Sequence, residues 1–331
     1  GIVTCHPSHH HMPNIWGPLI QCVGLKNNYT MTRMTGMILT QIWDKDPGRI
    51  ESYCAKFGTK PAKSYDSMVG DVDGVIISDM RNASYFPELA EPYLKAGIPV
   101  LFNRPFTPNL GACKRIIASS KKHGTPFMTA SGWEYCKEVY AMRNRIAQHG
   151  PVIKAVSATN SSTEITHDVH GVWIICAMVG TGIESVSVTR GVKSVHEHGS
   201  DVWSIYYGAK DDRPGFYATL HNQTNSESNA SVRVQFQNSS FEQALWYLSG
   251  GTEQRYQYYF LPPLLEFQRM IGNGEMPQSH EQVFEKTAVF LAGFKSHLKY
   301  DGKPVRLDEL EDDFEVQSDA NTITYPDDYF G

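Results

Sequence analysis

Short apolar segments alternate with helical segments through the first 150 residues, and this alternation restricts the fold strongly. The apolar segments lie at residues 2–5, 37–44, 72–79, 99–103 and 126–132. One helical segment between them has Pro47 near its start, and three of them end at Gly58, Gly97 and Gly124, as the usual positions of proline and glycine predict. Strand–helix–strand units at this spacing predict parallel, right-handed crossovers. We therefore expect a doubly wound parallel sheet over residues 1–150.

The pattern changes after residue 150. Six segments there are rich in valine, threonine and aromatic residues and are separated by glycine, asparagine and aspartate: VIKAVSATNSS, SVSVTRGVKSV, DVWSIYYG, GFYATLHNQ, SVRVQFQN and EQALWYLSG. They predict a mostly antiparallel sheet. Helices are predicted at residues 170–180 and in the segments LLEFQRMIG and HEQVFEKTAVFLAGFKSHL. The chain is thus predicted to be α/β, with a C-terminal α+β domain over residues 151–331.

Composition excludes several classes of partner. The chain has 331 residues and a formal net charge of −5, with no basic run, so we expect no nucleic-acid partner. No segment approaches the ~20 consecutive apolar residues that span a bilayer, so we expect no membrane partner. The six cysteines occur singly, which is typical of a reducing compartment. A cytoplasmic location is expected, with an export signal removed before Gly1 as the alternative.

Four segments resemble a known family. MILTQIWDKDPGRIESYCAKFG, DVDGVIISD and ELAEPYLKAGIPVLFNRP resemble the first domain of the Gfo/Idh/MocA oxidoreductases, which include glucose–fructose oxidoreductase and inositol dehydrogenase, and EKTAVFLAGFKSHLKYDGKPVRL resembles their last helix and strand. The resemblance implies a Rossmann domain, an open-faced α+β domain and a substrate cleft between them. It also implies NAD(P)-dependent chemistry on a carbohydrate or sugar acid, in a homodimer or homotetramer formed through the open sheet.

The same resemblance assigns candidate catalytic residues. The helix HDVHGVWIICAMVG lies where the family has its catalytic histidine, which is His170 here. The family's Glu-Lys-Pro motif is similar to Asn103-Arg104-Pro105, and Arg104 keeps the positive charge but cannot relay a proton as lysine does.

The aspartate that often precedes the family's histidine by four residues is replaced by Thr166. Nearby His167 and Asp168 are further catalytic candidates. Asp168 is two residues from His170, and helical residues at that spacing point in different directions.

The turn after the first strand departs from the family's glycine-rich dinucleotide turn. It reads HPSHHH over residues 6–11, with no glycine before Gly17, although glycines there let the backbone approach a diphosphate. Two candidate cofactor contacts remain. One is Ser8 within this turn, and the other is Asp44, which ends the second strand where an acidic side chain can bind ribose hydroxyls. Asp44 can equally be a turn or helix-capping residue.

The histidines themselves form a candidate metal site. Neutral imidazoles and carboxylates are ligands that Zn²⁺, Mn²⁺ and Fe²⁺ accept. In the fold that the resemblance implies, the first turn and the segment 164–170 face the same cleft. Their candidate metal ligands are His6, His9, His10, His11, Glu164 and His170. Direct binding of an anion by the imidazoles, or no role at all, are the alternatives.

Trp133, Glu134 and Tyr135 follow the last strand of the first half and are the candidate substrate residues, because an aromatic surface with a carboxylate suits a sugar ring. Three hypotheses stay open. The first is an NAD(P)-dependent sugar or cyclitol oxidoreductase. The second is a non-redox hydrolase, lyase or epimerase of carbohydrates that uses the histidines, with or without a divalent metal. The third is a non-catalytic sugar-binding protein.

Overall fold

The structure is a computed structural model. It describes residues 1–4, 15–21, 37–78, 85–104, 106–149, 152–161, 165–190, 201–210, 213–223, 230–246 and 252–316.

Six parallel strands form the first sheet. They are β1 (Ile2–Thr4), β2 (Gln41–Asp44), β3 (Lys60–Pro61), β4 (Val75–Ile77), β5 (Val100–Asn103) and β6 (Phe127–Ala130). Their order is β3-β2-β1-β4-β5-β6, which is the order of a Rossmann sheet. Every residue of β4, β5 and β6 is buried, as expected for parallel strands covered on both faces.

Helices connect these strands, and their ends follow the sequence signals. They are α1 (Gly17–Gln21), α2 (Pro47–Phe57), α3 (Phe86–Lys95), α4 (Leu110–His123) and α5 (Lys137–His149). Asp46 caps α2 through the amides of Gly48 and Arg49, and Gly58 ends that helix at φ 65°. A 3₁₀ turn at Gly132–Tyr135 lies between β6 and α5.

Seven strands form the second sheet. They are β7 (Ile153–Ser161), β8 (Ile183–Arg190), β9 (Asp201–Tyr207), β10 (Phe216–Gln223), β11 (Ala230–Phe236), β12 (Phe241–Trp246) and β13 (Val305–Arg306), in the order β12-β11-β7-β10-β9-β8-β13. Only the β7–β10 pair in this sheet is parallel, so the predicted mostly antiparallel sheet is confirmed. Helix α6 (Ile165–Val179) follows β7, and α8 (His280–Tyr300) packs along β8.

The helix α7 (Thr252–Asn273) returns from the second half of the chain to the first sheet. Its Leu264, Phe267 and Met270 share one buried apolar cluster with Ile2 of β1 and Ile42 of β2. The segment after β13 also returns. The amide of Val316 donates to the Pro108 carbonyl at 3.0 Å, and the amide of Gly111 donates to the Asp312 carbonyl at 2.9 Å. The two halves of the chain therefore share packing at several places.

Several predicted elements have different bounds in the structure. The strand predicted at 37–44 covers only Gln41–Asp44. The helix predicted from LLEFQRMIG begins at Thr252 and runs through Pro262 and Pro263. Proline disfavours a helix interior, but burial of Leu264 and Phe267 against the first sheet outweighs that preference. Within the described residues, no helix is both long and apolar enough to cross a bilayer.

Candidate active site

The carboxyl ends of β5 and β6 place two polar residues side by side. Asn103 pairs with Ala130 in the parallel register, so Arg104 and Ser131 occupy adjacent positions just beyond the sheet. Both are buried, with Arg104 2% exposed and Ser131 fully enclosed. Ligands of doubly wound sheets bind at this edge, near the point where the strand order reverses, which is between β1 and β4 here.

Helix α6 brings His170 to Ser131. The imidazole is 5% exposed, and its Nδ1 lies 2.6 Å from Ser131 Oγ. The ring also stacks on Trp133, with centroids 5.6 Å apart and planes 26° apart, and Trp133 stacks in turn on Tyr259 at 5.2 Å. A hydrogen bond at one nitrogen and a stacked ring on one face fix the orientation of the imidazole.

A glycine allows the start of α6 to lie close to the second sheet. A Cβ on Gly171 would lie 2.6 Å from Leu220 Cδ1 and 3.1 Å from Asn160 Cβ. Beneath this point, Asn160 Nδ2 donates to Asn222 Oδ1 at 3.1 Å, and Asn222 Nδ2 donates to Asp201 Oδ1 at 2.8 Å. A buried polar network thus crosses β7, β10 and β9 next to His170.

Asp44 lies at the carboxyl end of β2 and is 2% exposed. Its Oδ1 accepts from the Asp46 amide at 2.8 Å and lies 2.5 Å from Arg49 Nη2. Burial raises the pKa of this carboxyl, although the hydrogen bond from Arg49 opposes that shift. The helix cap predicted as its alternative role belongs to Asp46, whereas Asp44 holds the turn. Its second oxygen, Oδ2, is buried and has no hydrogen-bond partner in the described structure.

The three candidate substrate residues each contact a different part of the protein. Trp133 stacks on His170 as described above, and the hydroxyl of Tyr135 donates to the Thr129 carbonyl at 3.0 Å. Glu134 accepts from Lys286 Nζ at 2.6 Å, and the side chains of both are 1% exposed. Burial lowers the pKa of Lys286, while Glu134 opposes that shift.

A small polar cavity of about 110 Å³ adjoins the far side of Glu134. Glu285 lies in its wall, and both oxygens of this carboxylate accept from the Gly182 amide at 2.9 Å. Burial raises the pKa of Glu285, and its hydrogen bonds with the amides of Gly182 and Ile183 offset part of the shift.

Most of the predicted metal and cofactor positions lie outside the described residues. These are His6, Ser8, His9, His10, His11 and Glu164. His167 and Asp168 belong to α6 by their backbone, and their side chains are not among the described atoms. Among the side chains that are described, no group of three or more histidine, cysteine, aspartate or glutamate residues could hold a metal ion. The metal site therefore stays a prediction.

Sequence reasoning missed Ser131, Tyr259 and Lys286. Ser131 could have been identified from the sequence, because it directly follows β6 at the edge of the sheet where ligand sites form. The sequence indicates Lys286 more weakly. It lies three residues after Val283 and four before Phe290, which places a charged side chain on the apolar face of α8. Tyr259 precedes the predicted part of α7, and no pattern in the sequence indicates that it belongs to the site.

Comparison with known proteins agrees with this architecture. Residues 25–131 match the profile of the Gfo/Idh/MocA oxidoreductase family, described as having an NAD-binding Rossmann fold. A solved structure of a probable dehydrogenase from Thermotoga maritima superposes with a TM-score of 0.76 at 17% identity, covering 94% of this chain and 99% of that one. The myo-inositol dehydrogenase of Lactobacillus casei, solved with NAD(H) and myo-inositol, superposes at 0.76 and 13% identity, covering 92% of this chain and 96% of that one.

A curated relative matches over a shorter stretch. The uncharacterized protein YMR315W of Saccharomyces cerevisiae is 28% identical over 98 residues, which is 30% of this chain and 27% of the yeast protein. The resemblance predicted from the sequence is thereby confirmed: residues 25–131 match the Gfo/Idh/MocA oxidoreductase profile, and more than nine-tenths of the chain shares the fold of the superposed dehydrogenase structures.

Proposed function

We propose that the protein is an NAD-dependent oxidoreductase acting on a ring hydroxyl of a sugar or cyclitol. The observation that carries the proposal is the buried His170, held by Ser131 at 2.6 Å where β6 ends, beside the position of Arg104. An imidazole fixed at this edge of a Rossmann sheet is placed as a general base would be.

The ribose end of the cofactor fits one observed group. The buried Oδ2 of Asp44 lacks a hydrogen-bond partner within the described structure, and a ribose diol would supply the donor. The neighbouring Arg49 is already paired with Oδ1, so it is not placed to neutralise a 2′-phosphate. Asp44 therefore favours NAD over NADP. When bound, the nicotinamide supplies the acceptor for hydride from the substrate carbon.

The chain's own residues would handle the proton and the charge. Since Nδ1 of His170 is engaged by Ser131, the ring nitrogen assigned to accept the hydroxyl proton is Nε2. Arg104 stays protonated at any working pH, so its role is to stabilise the developing alkoxide rather than to carry a proton.

The substrate class comes from the neighbours together with the chemistry of the site. One superposed structure has myo-inositol as its ligand, and another, scyllo-inositol dehydrogenase from the same organism, has scyllo-inositol with NAD(H) at a TM-score of 0.73 and 14% identity. A polyhydroxylated ring also suits the surroundings of His170, where Trp133 stacks on the imidazole and the polar network of Asn160, Asn222 and Asp201 lies close by.

We further propose that two copies pair through the open face of the second sheet. This face is the one opposite α6 and α8, and Tyr217 and Leu245 on it are 58% and 56% exposed. Serine, threonine and tyrosine residues dominate the same face in β7, β9 and β10. The substitution Leu245→Lys is expected to give monomers by light scattering, whereas Leu298→Lys, on α8, is expected to leave a dimer. A monomeric wild-type protein would contradict the pairing.

The cofactor proposal is tested by titrating purified protein with NADH and NADPH under fluorescence detection, together with elemental analysis. We expect one NADH per chain with a micromolar dissociation constant and weaker binding of NADPH. Stoichiometric zinc, manganese or iron without dinucleotide binding would instead support the non-redox enzyme built on the histidine turn.

A further inference from the structure

We propose that the buried ion pair of Glu134 and Lys286 is a positioning device, which sets the location of Trp133 and through it the ring of His170. This inference rests on the proposed role of His170 as a base. The pair does not touch His170 itself, so neither residue is a catalytic residue.

The first step of the argument is the turn that carries Glu134. Within five residues, Ser131 bonds to His170, Trp133 stacks on His170, Glu134 binds Lys286, and the Tyr135 hydroxyl bonds to the Thr129 carbonyl. The turn at Gly132–Tyr135 is therefore held by contacts from several of its residues. Among the described residues, the contact of Glu134 with Lys286 is the one ion pair that the turn makes.

The second step is the position of the ammonium. Lys286 Nζ lies 2.6 Å from Glu134 Oε1, 2.6 Å from Gln278 Oε1 and 4.0 Å from the centroid of the Trp173 ring. Trp173 is three residues after His170 on α6, so it lies nearly one turn further along the same side of the helix. Lys286 thus contacts both elements that surround the imidazole, one through Glu134 and one through Trp173.

The third step is the tight fit of the turn. A Cβ on Gly132 would lie 2.6 Å from the Tyr259 carbonyl oxygen, so the turn is pressed against α7 without a gap. Glu134 and Lys286 both have side chains only 1% exposed. If one partner is removed, the remaining buried charge must change its protonation or draw in water. Either change is expected to displace the turn, and Trp133 then moves together with the adjacent Glu134.

The fourth step links this displacement to function. Proton transfer depends on the direction and distance of the imidazole, and sub-ångström errors in a positioned base reduce turnover more than they reduce binding. A loosened tether is therefore expected to lower kcat and to leave KM close to its wild-type value.

The experiment follows the His170 imidazole by NMR in protein carrying ¹³C,¹⁵N-labelled histidine, with the His170 signals assigned from a His170→Gln sample. The variants are Lys286→Met, Glu134→Gln and the double variant Glu134→Gln/Lys286→Met, which leaves no buried charge. The matched control is Arg145→Met, which breaks the ion pair of Arg145 with Glu242 at 2.7 Å, away from the turn. No turnover is needed for this readout, so it stays informative if the proposed reaction is wrong.

We expect the ring ¹³C and ¹⁵N chemical shifts of His170 to change in Lys286→Met and in the double variant, and to stay at their wild-type values in Arg145→Met. Where a substrate is known, kcat is expected to fall about tenfold with little change in KM. Lys286→Met is the variant most prone to misfolding, because it leaves Glu134 buried without its partner. If it does not fold, the double variant tests the proposal, because it removes both charges. A folded double variant with wild-type His170 signals would overturn the proposal and leave the pair as a purely structural tether.

Discussion

Ser131 Oγ lies 2.6 Å from Nδ1 of His170, and neither side chain is open to solvent beyond a few per cent. The bond connects the end of β6 with the first turns of α6, so one hydroxyl holds an imidazole from the second half of the chain against the edge of the first sheet.

The substitution Ser131→Ala is expected to lower kcat by roughly tenfold to a hundredfold, because the ring loses the bond that orients it. The dissociation constant for NADH is expected to be unchanged, since this hydroxyl does not touch the ribose position. Steady-state kinetics together with a dinucleotide titration measure both quantities. Equal kcat in the variant and the wild type would remove Ser131 from the site.

Asp44 gives a prediction on cofactor affinity. Replacing its carboxylate in Asp44→Ala should weaken NADH binding by roughly tenfold to a hundredfold, in line with the loss of hydrogen bonds to a charged acceptor. The control is Asp46→Asn, two residues away, because asparagine caps a helix about as well as aspartate does. If both variants bind NADH as tightly as the wild type, Asp44 has only its observed role in the turn.

The packing of the turn predicts an effect on stability. Gly132→Ala should lower the free energy of unfolding by about 1–3 kcal/mol, because its Cβ would meet backbone atoms of Tyr259. Gly272→Ala, in α7, has nothing within 4 Å of the new Cβ and should raise it by about 0.5–1 kcal/mol. Urea denaturation of the two variants compares these signs directly. A neutral Gly132→Ala would show that the turn can move away from α7.

Glu285 predicts a pH dependence of stability. Burial raises the pKa of this carboxyl above its usual 4.5, so the folded state holds its proton more tightly than the unfolded state does. Stability is then lost as pH rises from 4.5 through the folded pKa. Glu285→Gln does not titrate, so its stability relative to the wild type should improve between about pH 4 and pH 7, by less than about 1 kcal/mol because solvent screens the partly exposed group.

Urea denaturation at several pH values follows this difference, with the exposed Glu51→Gln of α2 as the control, whose stability relative to the wild type is expected to vary less with pH. A difference for Glu285→Gln that shrinks as pH rises would mean that the amides of Gly182 and Ile183 stabilise the carboxylate more than burial destabilises it.

Local signals in the sequence were enough to predict five of the six strands of the first sheet and most of its helices. Pro47, Gly58 and Gly124 mark helix ends through their own backbone preferences, and the mostly apolar segments of β4 to β6 match strands buried on both faces. Such information is contained in each segment and does not depend on the rest of the fold.

The features that the sequence did not predict depend on distant contacts. The start of α7 was missed because Pro262 and Pro263 disfavour a helix locally, whereas packing against the first sheet stabilises it. The partner of Glu134 was missed because Lys286 is 152 residues away, and no local pattern pairs them. Asp44, His170 and Trp133 were predicted as site residues by resemblance, but the contacts that Ser131 and Trp133 make with His170 became visible only in the fold.

The measurement that tests the central claim most directly is the reduction of NAD⁺ by a panel of cyclitols and sugars that includes myo-inositol and scyllo-inositol, followed as formation of NADH. The account predicts turnover with at least one ring polyol by the wild type and a loss of about a hundredfold or more in His170→Gln, which should still bind NADH. Turnover that survives unchanged in His170→Gln, or a protein that binds no dinucleotide, would contradict it.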